Sequence, residues 1–210
     1  MTAPAAAAPR DVSTRERLLD VALEAFSELG YDGASTRTIA TRAGVNQGMI
    51  PYYFGTKEAL WREAVDRAFA ELRGEIDPVI DADVPNDRER LARMIRALVR
   101  YVARRPAFAR LMSEEGKREG PRMHWIVDRH IRPLFDVTEH MGGLVDTTPY
   151  GGRFVPLYFY ILVGAVTLIF HQAPECRRLT GLDPTDDAMV EAHADALIAL
   201  FVPKPEGGTG

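Results

Sequence analysis

The sequence predicts an all-α protein, with an N-terminal three-helix domain of the helix-turn-helix type followed by a larger C-terminal helical domain. Three observations support this fold class. Apolar residues recur at helical spacing along most of the 210 residues. Two short amphipathic segments are separated by a glycine between residues 36 and 54. No run alternates apolar and polar residues for long enough to outweigh the helical pattern.

The first helix is predicted to begin at a capping box, in which Ser13 and Glu16 stand three residues apart before an apolar stripe. The stripe has the spacing of one helix face and comprises Leu19, Ala22, Leu23, Phe26 and Leu29. Gly30 follows directly and is expected to end the helix. We expect this face to form the core of the small domain.

The second helix is predicted to be short and to end in a sharp turn. Thr36 is expected to cap it, and its apolar residues are Ile39, Ala40 and Ala43. Gly44 comes next, where such a turn needs a residue that tolerates a positive φ. The turn is therefore predicted to redirect the chain into a third helix.

The third helix is expected to be capped by Asn46 and to carry Met49, Ile50 and Tyr53 on one side. Two short helices joined by a glycine turn form a helix-turn-helix, whose second helix enters the major groove of DNA. A fourth helix is predicted after a cap at Thr56. Its apolar residues are Leu60, Trp61, Val65, Ala68, Phe69 and Leu72. This helix is too long for the small domain alone, so we expect it to connect the two domains.

Three motifs carry a resemblance to a known family: AGVNQG at residues 43–48, YYF at residues 52–54 and GTKEAL at residues 55–60. Together with the helix before them, they resemble the DNA-binding domain of TetR-family transcriptional regulators. The resemblance covers Ser13 to Leu60, about a quarter of the chain. It implies a DNA-binding domain at residues 11–57 and a ligand-binding and dimerisation domain at residues 58–203.

Composition limits the class of protein. The net charge of −4 argues against a protein that coats nucleic acid without sequence preference. Residues 10–60 are not basic either, because they hold six cations and seven anions. Cys176 is the single cysteine, so no disulfide can form within the chain, and a cytoplasmic, reducing location is expected. Residues 1–10 and 204–210 are expected to be disordered tails.

The larger domain is also predicted to be helical. A loop is expected at residues 77–85, and then an apolar stripe that Pro106 ends, formed by Leu91, Met94, Ile95, Leu98 and Val102. Further helices are expected over residues 106–117 and 121–141, with Pro133 kinking or dividing the second. Residues 142–152 are rich in Gly, Thr and Pro and predict a loop.

The last two predicted helices are the most apolar. Residues 154–170 contain no charge but fall short of the roughly 20 residues that span a bilayer, so a core helix is predicted and no membrane partner. The final helix, residues 186–202, is expected to place on one side Met189, His193, Leu197, Leu200 and Phe201. The two helices resemble the pair with which TetR-family proteins form a four-helix homodimer interface.

The DNA contacts are assigned from position and from what the resemblance implies. Arg37 can donate two hydrogen bonds to guanine, Gln47 suits adenine and Met49 suits a thymine methyl group. The complete predicted set is Thr36, Arg37, Thr38, Asn46, Gln47, Met49, Tyr52, Tyr53 and Lys57. Thr36 and Thr38 offer hydroxyls near a helix start, and Lys57 corresponds to the family's phosphate-binding lysine. Tyr52 and Tyr53 are both candidates, and one of them is equally suited to the core.

Pro51 departs from the family pattern, which usually has Tyr or His at this position. A proline lacks that side-chain contact, and it also lacks the N–H that would bond the carbonyl of residue 47. We therefore expect the third helix to be kinked or to begin as a looser turn.

A ligand site is predicted less directly, from aromatic, Met and His side chains on helices of the larger domain. These residues are Met112, Met123, His124, Trp125, Phe135, Phe159, Tyr160 and His171. Catalysis, a metal and a cofactor are not expected. The sequence has no P-loop, H-E-x-x-H or G-x-S-x-G motif, and it lacks the Glu-x-x-His pair of di-iron bundles.

The expected function is therefore sequence-specific binding to double-stranded operator DNA by a homodimer, most often as a repressor that an unknown small-molecule effector releases. The alternative is a DNA-binding dimer whose larger domain serves only for dimerisation or protein recruitment.

Overall fold

The computed structural model describes residues 9–80, 82–140 and 155–202, and every regular element within these ranges is helical. This confirms the all-α fold class. In chain order the helices are α1 (Pro9–Gly33), α2 (Thr36–Arg42), α3 (Met49–Phe54), α4 (Lys57–Ile80), α5 (Asp87–Arg104), α6 (Pro106–Gly116), α7 (Pro121–Ile126), α8 (Arg132–His140), α9 (Val155–His171), α10 (Ala173–Thr180) and α11 (Asp187–Phe201). A π-helical turn, Val127–Ile131, joins α7 to α8.

Helix α1 differs from the prediction at both ends. It begins at Pro9, four residues before the expected cap at Ser13. At Gly30 the backbone leaves the helical region with φ 70° and ψ 169°, so the expected break is present although helical turns resume up to Gly33. The predicted apolar face is otherwise buried, but Leu29 is 43% exposed.

Helices α2 and α3 form the expected helix-turn-helix. The cap of α2 is Ser35 and not Thr36, since the Ser35 hydroxyl accepts from the Thr38 N–H at 3.0 Å. Ile39 and Ala40 are buried as predicted. Gly44 has φ 65°, the positive value that the turn requires.

Helix α4 passes from the small domain into the larger one. The Thr56 hydroxyl caps it by accepting from the Ala59 N–H at 3.0 Å, as predicted. All of its predicted apolar residues are buried, from Leu60 to Leu72. The predicted start of the loop at residue 77 is wrong, because the helix includes Pro78 and continues to Ile80.

The larger domain packs against the second half of α4. Of the predicted stripe of α5, Leu91, Ile95 and Val102 are buried, while Met94 and Leu98 are half-buried. The helix also buries Val99 and Tyr101, and the Tyr101 hydroxyl donates to the Ala68 carbonyl of α4 at 2.5 Å. Helix α6 then packs along α1 and so closes the contact between the two domains. The predicted break near Pro133 is present as the π-helical turn directly before α8, which accommodates a residue without an N–H.

Helices α9, α10 and α11 complete the described part. No single helix there is both long and apolar enough to cross a membrane, and α9 with α10 reach that composition only as a pair bent by 69°. The predicted face of α11 is offset by about one residue. Val190, Ala194 and Leu197 are buried, whereas Leu200 is 78% exposed. The predicted loop at residues 142–152 and the tail at residues 204–210 lie outside the described residues, as does most of the tail at residues 1–10.

Candidate DNA-binding surface

The start of α3 explains how the chain accommodates Pro51. The Asn46 side chain accepts from the Gly48 N–H at 2.8 Å, which stabilises the turn before the helix. The Ile50 N–H then donates to the Gln47 carbonyl at 3.2 Å, the acceptor that residue 51 would otherwise have used. Pro51 is the third residue of α3, where its missing N–H interrupts no helical ladder. The predicted looser start of the helix is therefore present.

A groove of about 450 Å³ lies between α2, α3 and the start of α4. It is lined by Thr36, Gln47, Gly48, Ile50, Pro51, Gly55 and Lys57. The Gln47 amide donates to the Thr36 hydroxyl at 3.4 Å across this groove, so the two predicted DNA contacts lie side by side. Three of the nine predicted residues therefore line one concave surface.

The remaining predicted residues divide into exposed and packed groups. Arg37 is exposed and forms no ion pair with the described residues, and Tyr52 is 71% exposed. By contrast, Met49 and Tyr53 pack against the hydrophobic core. The two tyrosines thus have different surroundings, with Tyr53 on the core side. We call Thr36, Arg37, Gln47, Tyr52 and Lys57 the recognition surface.

Lys57 is the first residue of α4, next to the Thr56 cap. A helix N-terminus carries a partial positive charge and free N–H groups, which favour a phosphate. The Lys57 ammonium has no ion pair among the described residues and lies 4.5 Å from the centroid of the Tyr31 ring. The combination of a helix start and an unpaired ammonium is chemically suited to a phosphate oxygen.

Three acidic residues of α1 pair with arginines of the larger domain. Asp20 contacts Arg67 at 3.1 Å and Arg105 at 3.0 Å. Two further pairs join α1 to the chain at and beyond α6, Glu24 with Arg110 and Asp32 with Arg118. We call these α1 acids and their arginine partners the ion-pair junction. Three of the seven anions in residues 10–60 are thus paired with arginines of the larger domain.

The predicted ligand residues are not gathered into one cavity. Trp125 packs on Trp61 with centroids 5.6 Å apart, and Phe135 meets Phe159 at 5.4 Å. His124 and Tyr160 are exposed. The other members, Met112, Met123 and His171, are half-buried. None of the eight lines the groove described above or the cavity of about 10 Å³ beside Arg105.

A buried histidine was missed by the sequence analysis. His130, on the π-helical turn, stacks on Phe69 with centroids 4.2 Å apart, and its Nε2 lies 2.9 Å from Asp66 Oδ1. Burial lowers the pKa of His130, while Asp66 acts in the opposite direction. Burial also lowers the pKa of His193 on α11. Neither position has a motif, since the contacts join residues that are far apart in sequence.

Comparison with known proteins identifies the small domain. The family model described as bacterial regulatory proteins of the tetR family matches residues 18–64, which contain the recognition surface. The HTH-type transcriptional repressor NicS of Pseudomonas putida is 27% identical over 121 residues, which are 58% of this chain and 56% of NicS. The chain thus spans about half the length of NicS, 30% of BetI from Stenotrophomonas maltophilia and 34% of AcrR from Shigella flexneri.

Solved structures extend the likeness to the whole fold. A TetR-like transcriptional regulator from Rhodococcus sp. RHA1 has 22% identity and a TM-score of 0.67, covering 93% of this chain and 96% of that one. AibR, solved in complex with isovaleryl coenzyme A and operator DNA, has 17% identity and a TM-score of 0.71, covering 90% of this chain and 98% of AibR. NicS and the Rhodococcus protein are described as transcriptional regulators. Residues 18–64 therefore match the tetR family of bacterial regulatory proteins, and the chain shares its fold with these TetR-like structures.

Proposed function

We propose that the chain is a cytoplasmic, homodimeric repressor that binds a specific operator sequence in double-stranded DNA and that a small-molecule effector releases. The observation that carries the proposal is the recognition surface. It combines an exposed arginine, a glutamine in a groove and an unpaired lysine at a helix start. Arg and Gln are side chains that read base edges, while Lys binds phosphate. In this proposal Arg37 and Gln47 read the operator and Lys57 fixes the register.

The homodimer is supported by an exposed apolar stripe. Along α9, five residues at helical spacing face outward: Leu157, Tyr160, Ile161, Gly164 and Leu168. On α11 the exposed residues include Leu200 and several alanines, which allow close approach of another helix. Two such helices from each subunit would form a four-helix interface and hold two recognition surfaces for half-sites about 34–36 Å apart, or a multiple of that distance. Tyr160 then belongs to the interface and not to the ligand site.

The DNA-binding step is tested by selecting sites from fragmented genomic DNA with the purified protein at a fixed salt concentration near 0.15 M. Recovery of a near-palindromic sequence that the Arg37→Ala variant no longer selects is the expected result. If the wild type is a well-folded dimer and selects no sequence, sequence-specific binding is contradicted.

The dimer is tested separately by sedimentation. Ile161→Asp places a charge in the exposed stripe, and we expect it to give a monomer with much weaker operator binding. Leu179→Asp is the matched control, because Leu179 is 75% exposed on α10 outside the stripe. A dimeric Ile161→Asp protein would contradict the interface.

The effector step is tested by adding candidate metabolites to the operator complex. Isovaleryl coenzyme A is a reasonable first probe, with free coenzyme A as control, since the AibR complex contains that ligand. Release of DNA by a metabolite supports the repressor proposal. An operator affinity that no metabolite changes would favour the alternative, in which the larger domain serves only for dimerisation or protein recruitment.

A further inference from the structure

Tyr31 lies where the small domain meets the larger one, and a cation from each domain approaches its ring. The Nζ of Lys57 lies 4.5 Å from the ring centroid, and the Cζ of Arg122 lies 4.1 Å from it. Both distances are well within the limit of about 6 Å for a cation–π contact. Lys57 belongs to the recognition surface, whereas Arg122 is on α7. One aromatic ring therefore connects the recognition surface with a helix of the larger domain.

Arg122 is held firmly from the larger-domain side. Its Nε lies 3.2 and 3.3 Å from the two carboxylate oxygens of Glu115, whose side chain is only 9% exposed. The guanidinium also lies 5.8 Å from the Trp61 ring. A planar guanidinium with a buried carboxylate on one side and aromatic rings on the other has little freedom to turn. The place of Arg122 is thus set by α6 and α7.

Tyr31 is oriented by its neighbours in the core. The positive φ of Gly30 redirects the chain immediately before it. The ring stacks on Phe26 at 5.8 Å and meets the edge of the fully buried Trp61 at 6.2 Å. Lys57 has no ion pair among the described residues and a flexible four-carbon stem. The position of its ammonium group therefore depends on the ring.

Resting on the proposed DNA-binding function, we propose that Arg122 is a positioning residue for DNA binding. It fixes the Tyr31 ring, and the ring holds the Lys57 ammonium where a DNA phosphate meets the start of α4. The larger domain thereby acts on the recognition surface through a side-chain contact, in addition to the backbone of α4. A displacement of α7 would loosen Lys57 and weaken the operator complex.

The first test is a double-mutant cycle on the affinity for the operator fragment recovered by selection. Arg122→Met keeps much of the apolar stem and removes the guanidinium, and we expect it to weaken binding about threefold to tenfold. In a Lys57→Met background the same change should have almost no further effect. Arg118→Met is the matched control. It removes an arginine from an exposed pair with Asp32 near α7, and we expect a change below about twofold.

The second test needs no DNA. The ε-methylene protons of Lys57 lie near the Tyr31 ring, so its ring current should shift their NMR resonances. Arg122→Met should move these resonances, while Arg118→Met should not. Melting temperatures are compared for all variants, and Arg122→Gln replaces Arg122→Met if that variant does not fold.

Three results would overturn the proposal. The first is a loss of operator affinity in Arg118→Met as large as in Arg122→Met, and the second is an effect of Arg122→Met that is undiminished in the Lys57→Met background. The third is an Arg122→Met protein whose Lys57 resonances are unchanged. If the wild-type protein selects no DNA, the proposed function fails. The NMR shift would still decide whether Arg122 sets the place of Lys57.

Discussion

The recognition surface lies within the small domain, whereas the ion-pair junction joins that domain to the larger one, and the two use charge in opposite ways. At the junction, Asp20, Glu24 and Asp32 of α1 each contact an arginine at 3.0 to 3.8 Å. On the recognition surface, Arg37 and Lys57 form no ion pair with the described residues. The sum of six cations and seven anions in residues 10–60 therefore does not show which cations are free of an internal partner. What matters for DNA is which cations remain unpaired and where they lie.

The difference has a physical basis. A phosphate or a base edge competes with any carboxylate that already binds the arginine or lysine, so a recognition cation is most useful without an internal partner. At the junction the reverse holds, since partly buried charges lose hydration and need a partner. Arg105 illustrates this point, because it contacts both Asp20 and Glu71.

The largest expected effect removes the core that the two regions share. Trp61 is fully buried between Tyr31 and Trp125, with centroid distances of 6.2 and 5.6 Å. We expect Trp61→Ala to lower the free energy of unfolding by about 3–5 kcal/mol and to abolish DNA binding with it. Urea denaturation measures the loss, with the exposed Leu179→Ala as control. A loss below about 1 kcal/mol would contradict a central place of Trp61 in the core.

The next prediction separates recognition from stability. Arg37→Ala should weaken operator binding by about 1–3 kcal/mol, since a bidentate contact to guanine is lost. Its free energy of unfolding should change by less than about 0.5 kcal/mol, because the side chain is exposed and unpaired. Titration of the operator fragment at a fixed salt concentration gives the change in affinity. Urea denaturation gives the change in the free energy of unfolding. A large change in stability would show that Arg37 has a structural role.

Arg105→Met should produce the opposite pattern. We expect the free energy of unfolding to fall by about 1–2 kcal/mol, a value discounted for the partial exposure of the pairs. The affinity of the folded protein for DNA should stay within about threefold of the wild type, because no recognition residue is touched. Arg93→Met is the control, since it breaks only an exposed pair with Glu89 within α5. Equal stabilities of the two variants would remove the distinction between the junction and an ordinary surface.

The smallest expected effect concerns His130, which belongs to neither region. Burial lowers its pKa in the fold, so the unfolded chain binds a proton first as the pH falls below about 6.5. The contribution of neutral His130 to stability is therefore present above that pH and declines below it. We expect His130→Phe, which keeps an aromatic ring on Phe69, to flatten the decline between pH 7.5 and 5.5 in urea denaturation. An identical pH dependence in both proteins would contradict the assignment to His130.

Much of the helix-turn-helix was predictable because its signals are local. The burial of Ile39 and Ala40, the positive φ of Gly44 and the cap at Thr56 each follow from residues within one or two turns. The cap of α2 was placed one residue late, at Thr36, because Ser35 and Thr36 have the same capping chemistry. The prediction for Pro51 also succeeded, since its effect acts on the adjacent turn.

The ion-pair junction was not predictable in the same way. Asp20 and Arg105 are 85 residues apart, and no periodicity connects them. The aromatic contact of Tyr31 with Arg122 is similarly distant in sequence. On α11, the predicted face was off by about one residue, because apolar residues occupy both the core side and the exposed side of that helix. Helical periodicity locates one apolar face, but it does not distinguish two.

The exposed, unpaired state of the recognition side chains has a consequence for how this protein evolves. Arg37 and Tyr52 contribute little to the packing of the fold, so substitutions there are free of the stability threshold that removes most mutations. With the proposed function, a duplicated copy could acquire a new target sequence by a few such changes while its scaffold stayed intact. Because the recognition side chains are separate from the residues that stabilise the fold, target preference can change without a change in stability.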